Sequence, residues 1–91
     1  MPFTLVLPAA LERQGWRVKI REKERLEPPH VTLIRRARTW RFALRECRFL
    51  DREPPARDVP PALVEHVLAH LDELRAAWDR MYPENPVGDE R

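Results

Sequence analysis

Over residues 16–20 and again over residues 40–44 apolar side chains recur at every second position, and between residues 64 and 81 they recur at every third or fourth. A period of two marks a strand with one face turned to a core, and a period near 3.6 marks a helix with one apolar stripe. The period changes across residues 51–61, a stretch that holds four prolines. This change constrains the fold more than any other feature. It calls for a short sheet and a helix that bury their apolar faces against each other in one α+β domain.

Trp16, Val18 and Ile20 alternate with Arg17, Lys19 and Arg21, and the basic row continues at Lys23 and Arg25. Glu27-Pro28-Pro29 breaks this strand. His30 opens the next, over residues 31–35, and Arg36-Ala37 makes a tight connection to a third, over residues 38–45. There Trp40, Phe42 and Leu44 share one face, opposite Thr39, Arg41, Ala43 and Arg45. Residues 47–50 are expected to add a short edge strand. Consecutive strands with such short connections form an antiparallel meander.

Ahead of them, residues 3–6 read as a short strand and residues 8–14 as a short helix, with Gly15 in the left-handed position after its end. Behind the proline-rich stretch, Asp58 is placed to cap a long amphipathic helix over residues 62–81. Its apolar face is Val64, Val67, Leu68, Leu71, Leu74, Trp78 and Met81. Pro83 stops it, leaving residues 83–91 as a flexible tail. The expected order is β-α-β-β-β-α. A three- to four-stranded antiparallel sheet carries the helix on one face, within a single domain over residues 1–82.

The 91 residues suit one domain of this kind. Cys47 is the only cysteine, so no disulfide can form within the chain. The apolar run over residues 3–7 is too short for a signal peptide and no basic segment precedes it. No stretch is long enough to span a membrane, and a cytoplasmic location is expected. The formal charge is +2, but it is divided unevenly: residues 12–48 hold twelve basic and five acidic side chains, and the chain from Phe49 onward holds five basic and ten acidic ones. Such segregation bears on partners rather than on fold.

The chemistry implied follows from this basic half. Alternate side chains along a strand stand about 6–7 Å apart, comparable with phosphates along one nucleic-acid strand, and arginine forks suit phosphate oxygens. Arg17, Lys19, Arg21, Lys23, Arg25, Arg35, Arg36 and Arg41 are therefore the candidate nucleic-acid contacts. The alternative is a solvated face partly neutralised by Glu22, Glu24 and Glu27.

His30 follows two prolines that stiffen its approach, among cations. That combination fits acid–base cleavage of RNA, because imidazole moves protons near neutral pH and guanidinium groups stabilise charge on phosphorus. Its alternative role is a histidine that pairs locally at a turn. His66 and His70, four apart with Glu73 on the same side, have the spacing of two metal ligands, but the set is short of ligands, and no metal or cofactor is expected. Trp16, Trp40 and Trp78 fall on apolar faces and read as core anchors. Cys47 reads as a small buried hydrophobe.

Glu27-Pro28-Pro29-His30, followed by two strands, a proline-bearing loop and a helix bearing Glu73-Leu74 and Trp78, resembles a family of small bacterial proteins of unknown function. That family has an acidic residue or Asn, then Pro-Pro-His, and its members look like parts of two-gene toxin–antitoxin operons. Its usual second histidine, two positions after the first, is replaced here by Thr32. Leu11-Glu12-Arg13-Gln14-Gly15-Trp16 and the place of His30 are also similar to HicA-type toxins, small ribonucleases with an α-β-β-β-α order. These resemblances imply an RNA-directed protein, in the sharpest form a toxin-like endoribonuclease with His30 as acid or base. The second expectation is a non-enzymatic interaction module, antitoxin-like or an adaptor, that binds a cognate protein. A homodimer through an exposed strand edge is compatible with either.

Overall fold

The computed structural model describes residues 3–24 and 26–88. Its elements are β1 (Phe3–Thr4), α1 (Ala9–Arg13), β2 (Trp16–Ile20), β3 (His30–Arg35), β4 (Arg38–Ala43), a 3-10 turn (Ala56–Asp58), α2 (Pro61–Ala69) and α3 (Leu71–Met81). The strands form one antiparallel sheet in the order β1-β2-β3-β4. The chain is thus an α+β domain, and the expected meander is present.

Register decides which side chains share a face. Val18 stands opposite Leu33 and Leu33 opposite Trp40, while Val31 stands opposite Phe42. These residues build one apolar face with Trp16 and Ile20, all buried. The helices close the core from the other side with Leu63 and Val67 of α2 and Leu74, Ala77 and Trp78 of α3. Trp16 and Trp40 pack with ring centroids 5.2 Å apart, and Trp78 packs on Tyr82 at 4.4 Å. The three tryptophans are core anchors, as expected. Gly15 takes a φ of 93°, the left-handed geometry that ends α1 and aims the chain into β2.

Several expectations are corrected. The long helix is two helices, broken at His70, whose backbone lies at φ −113° and ψ 24°. The His66 carbonyl oxygen there accepts twice from His70, from its N–H at 3.2 Å and from Nδ1 at 2.9 Å. Along α2 the buried positions are Leu63 and Val67, and Leu68, expected on the apolar face, is 44 % exposed. Asp58 does not cap this helix: Pro60 stands at the N-cap without a side-chain bond, and Asp58 pairs instead with Arg38 at 2.7 Å.

A further correction concerns the tail. Residues 83–88 fold back onto the core. Val87 is 5 % exposed, its N–H donates to Asp79 Oδ1, and the Trp78 Nε1–H donates to the carbonyl of Asn85. Arg45 holds the carbonyls of Pro86 and Val87.

The expected edge strand over residues 47–50 is reduced to one bridge between Phe42 and Phe49. The chain turns there through Cys47, at φ 59°. No helix among the described residues is long and apolar enough to cross a membrane.

Candidate nucleic-acid interface and the His30 pocket

On the sheet face opposite the aromatic core, register sets Arg17, Ile34 and Thr39 in one row and Lys19, Thr32 and Arg41 in the next. Arg17 is exposed and Lys19 half-buried, while Thr32 and Ile34 are covered. The strand stops at Ile20, so the basic row does not run on as an extended face. Residues 21–24 turn instead. The Arg21 N–H donates to Glu24 Oε1, the Glu24 N–H donates to the Tyr82 hydroxyl oxygen, and that hydroxyl donates to the carbonyl of Arg21. Lys23 sits in this turn at φ 68°, exposed, and Arg36 sits in the β3–β4 turn at φ 58°, also exposed. Arg25 lies outside the described residues.

The candidate cations separate into two groups. Arg41 is engaged internally: its Nε and a terminal nitrogen meet the two oxygens of Asp51 at 2.9 and 2.7 Å, and its other terminal nitrogen meets Glu27 Oε1 at 3.2 Å. The Asp51 contact, with Glu27 beside it, holds the guanidinium above its ordinary pKa. The same bond from Arg41 holds the Asp51 carboxyl below the usual carboxylate range. Arg35 is also engaged, donating to the carbonyl of Gln14 at 2.8 Å and lying over the Trp16 ring. No acidic partner engages the side chains of Arg17, Lys19, Arg21, Lys23 or Arg36 among the described residues.

His30 lies where β3 begins, opposite Ala43, and is 0 % exposed. Its ring packs on Trp78 with centroids 5.6 Å apart. Nδ1 is 2.8 Å from the carbonyl oxygen of Pro28, an acceptor only, so Nδ1 carries a proton and donates it. Nε2 has no hydrogen-bond partner. It faces Glu24 Oε2 at 3.4 Å and Glu27 Oε1 at 3.6 Å. Burial pulls the imidazole pKa down, but Glu24, the Pro28 carbonyl and the charge on Glu27 outweigh it and leave it raised. The ring is therefore enclosed by protein groups and does not line an open cleft.

His66 and His70 do come together, with ring centroids 4.2 Å apart. One nitrogen of each ring is committed elsewhere, His66 Nε2 to the carbonyl of Val6 and His70 Nδ1 to that of His66. Cys47 is half-buried, 3.8 Å from a terminal nitrogen of Arg75. No protein-family model matches this chain, and no curated protein or solved structure does.

Glu24 and Glu27 are the residues that sequence reasoning treated as surface neutralisers and the fold brings around His30. Their spacing, Glu-x-x-Glu-x-x-His, is visible in the chain, but only the Tyr82-closed turn makes it a cluster.

Proposed function

We propose that this protein binds RNA, with the phosphate backbone lying along β2 and the turn after it. Arg17, Lys19, Arg21 and Lys23 supply the charge, with Arg36 at the opposite turn. The observation that carries this reading is the division among the cations: Arg35 and Arg41 are tied to groups of the chain itself, and the side chains of Arg17, Lys19, Arg21, Lys23 and Arg36 have no acidic partner among the described residues. Arg17 and Lys19 stand two residues apart on one strand face, about 6–7 Å. Binding rather than cleavage is favoured, because the His30 imidazole is enclosed and its Nδ1 is committed to Pro28. A general acid or base must come within hydrogen-bond reach of the proton it transfers.

The test is fluorescence anisotropy of labelled single-stranded and hairpin RNA across a salt series. Four phosphate contacts give a slope of log K against log salt of about −3 on single strands. Arg17→Glu and Arg21→Glu should each weaken binding, and Arg57→Glu, on the exposed 3-10 turn, should not. A flat salt response, or equal loss in all three variants, would overturn the reading. RNA cleavage by the wild-type protein that disappears in His30→Ala would replace binding with a ribonuclease function. If RNA does not bind at all, the interaction-module reading takes its place.

A further inference from the structure

We propose that His30, Glu24 and Glu27 form a site for one divalent metal ion of the zinc type, which fastens the turn after β2 to the first residue of β3. The inference is independent of RNA binding.

The donor atoms come first. One atom from each of the three residues lies within 4.8 Å of the other two. Two acidic side chains near each other mean little alone. Here a fully buried nitrogen with no hydrogen-bond partner is aimed between them. Because Nδ1 donates to the Pro28 carbonyl, the neutral ring presents a lone pair at Nε2. A lone pair facing two carboxylates is repulsive unless a positive centre lies between them. An imidazole whose far N–H is fixed by a backbone carbonyl is also the usual arrangement of a metal-ligating histidine, since that bond sets tautomer and ring orientation.

Distance separates a metal from a shared proton. Nε2 lies 3.4 Å from Glu24 Oε2 and 3.6 Å from Glu27 Oε1, beyond the length of a good charged hydrogen bond. Nitrogen and oxygen ligands at about 2.0–2.1 Å from a tetrahedral ion stand about 3.3–3.4 Å from one another. The two separations from Nε2 are close to that edge length.

Charge agrees. Glu24 and Glu27 face the imidazole, and Arg41 joins Glu27 to Asp51, so among the described residues these three carboxylates and one guanidinium leave two net negative charges beside a neutral ring, which a dication balances. Glu24 is held in place by the Arg21 N–H on its other oxygen. The Glu27 side chain is 42 % exposed, which leaves an open side for water as a fourth ligand. One nitrogen beside two carboxylate oxygens suits zinc rather than magnesium or calcium, which favour oxygen ligands.

The experiment uses the full chain stripped with a chelator and titrated calorimetrically with Zn²⁺, and with Co²⁺ as a spectroscopic probe. The expected result is one ion per chain, tetrahedral Co²⁺ bands in the visible, and a melting temperature that rises with Zn²⁺. His30 sits in the core and its variants risk misfolding, so the deciding variant is Glu27→Gln at the surface. It should keep the circular dichroism of the metal-free protein and weaken Zn²⁺ binding at least about tenfold. The double variant His66→Gln/His70→Gln should bind as wild type. Absence of stoichiometric binding, affinity unchanged by Glu27→Gln, or affinity lost in the double variant would each overturn the proposal.

Discussion

Arg41 and Asp51 show what a single side chain does here that its position in the sequence does not reveal. Arg41 reads as one more cation on a basic strand. In the fold it is a brace, gripping both oxygens of Asp51 and one of Glu27. Nothing in an alternating pattern says whether a charged residue faces water or a partner ten residues on, because pairing depends on how the chain returns after β4. The pH dependence follows from the lowered Asp51 pKa. Ionised Asp51 contributes stability that is complete above its unfolded value near 3.8 and is lost as pH falls through the lower folded value. Asp51→Asn should cost about 1 kcal/mol at neutral pH, since a pair this exposed is screened by solvent. The gap between wild-type and variant urea midpoints should close on acidification. A gap that persists in strong acid would contradict the assignment.

At the scale of elements, the strands were legible and their ends were not. Alternation at Trp16, Val18 and Ile20 gives β2, but past Ile20 the chain is turned by Tyr82, 61 residues beyond Arg21, whose hydroxyl closes the turn over residues 21–24. Tyr82→Phe removes both bonds and strands the Glu24 N–H. It should cost about 1–3 kcal/mol in chemical denaturation and raise amide exchange in the turn. The terminal helix was legible as an apolar stripe but not as two pieces, since the apolar period continues on either side of His70, where the backbone leaves helical geometry. The two phases predict different mutational costs. Leu63→Ala, in the core, should cost about 2–5 kcal/mol. Leu68→Glu should stay within about 0.5 kcal/mol of wild type. Comparable losses at both would restore the single-helix phase.

For the whole molecule, the unequal division of charge along the chain is partly spent inside it. Arg38 meets Asp58 and Arg41 meets Asp51, so cations of the sheet take anions from the segment that follows. Among the described residues, the side chains of Arg17, Lys19, Arg21 and Lys23, on β2 and the turn after it, are left without an acidic partner. The α+β class was readable because period alone separates the sheet from the helices. The His30 cluster was not, because it needs the turn, the strand and α3 together. Trp78 is the point where these parts meet, touching both His30 and Tyr82. Trp78→Ala should cost about 3–5 kcal/mol, a large fraction of a small domain's margin, and leave little cooperative thermal transition.

The returning segment over residues 83–88 sets where this chain can be shortened. Val87 works as a stopper in the wall of the core, and Arg45 is the catch that holds it. Cutting after Tyr82 would look harmless in the sequence, because the helices end there. It would uncork the molecule, opening Trp78 to water and leaving its indole N–H without an acceptor. Fusions and trimmed versions for the binding experiments should therefore keep Val87, and limited proteolysis should spare the chain up to that point.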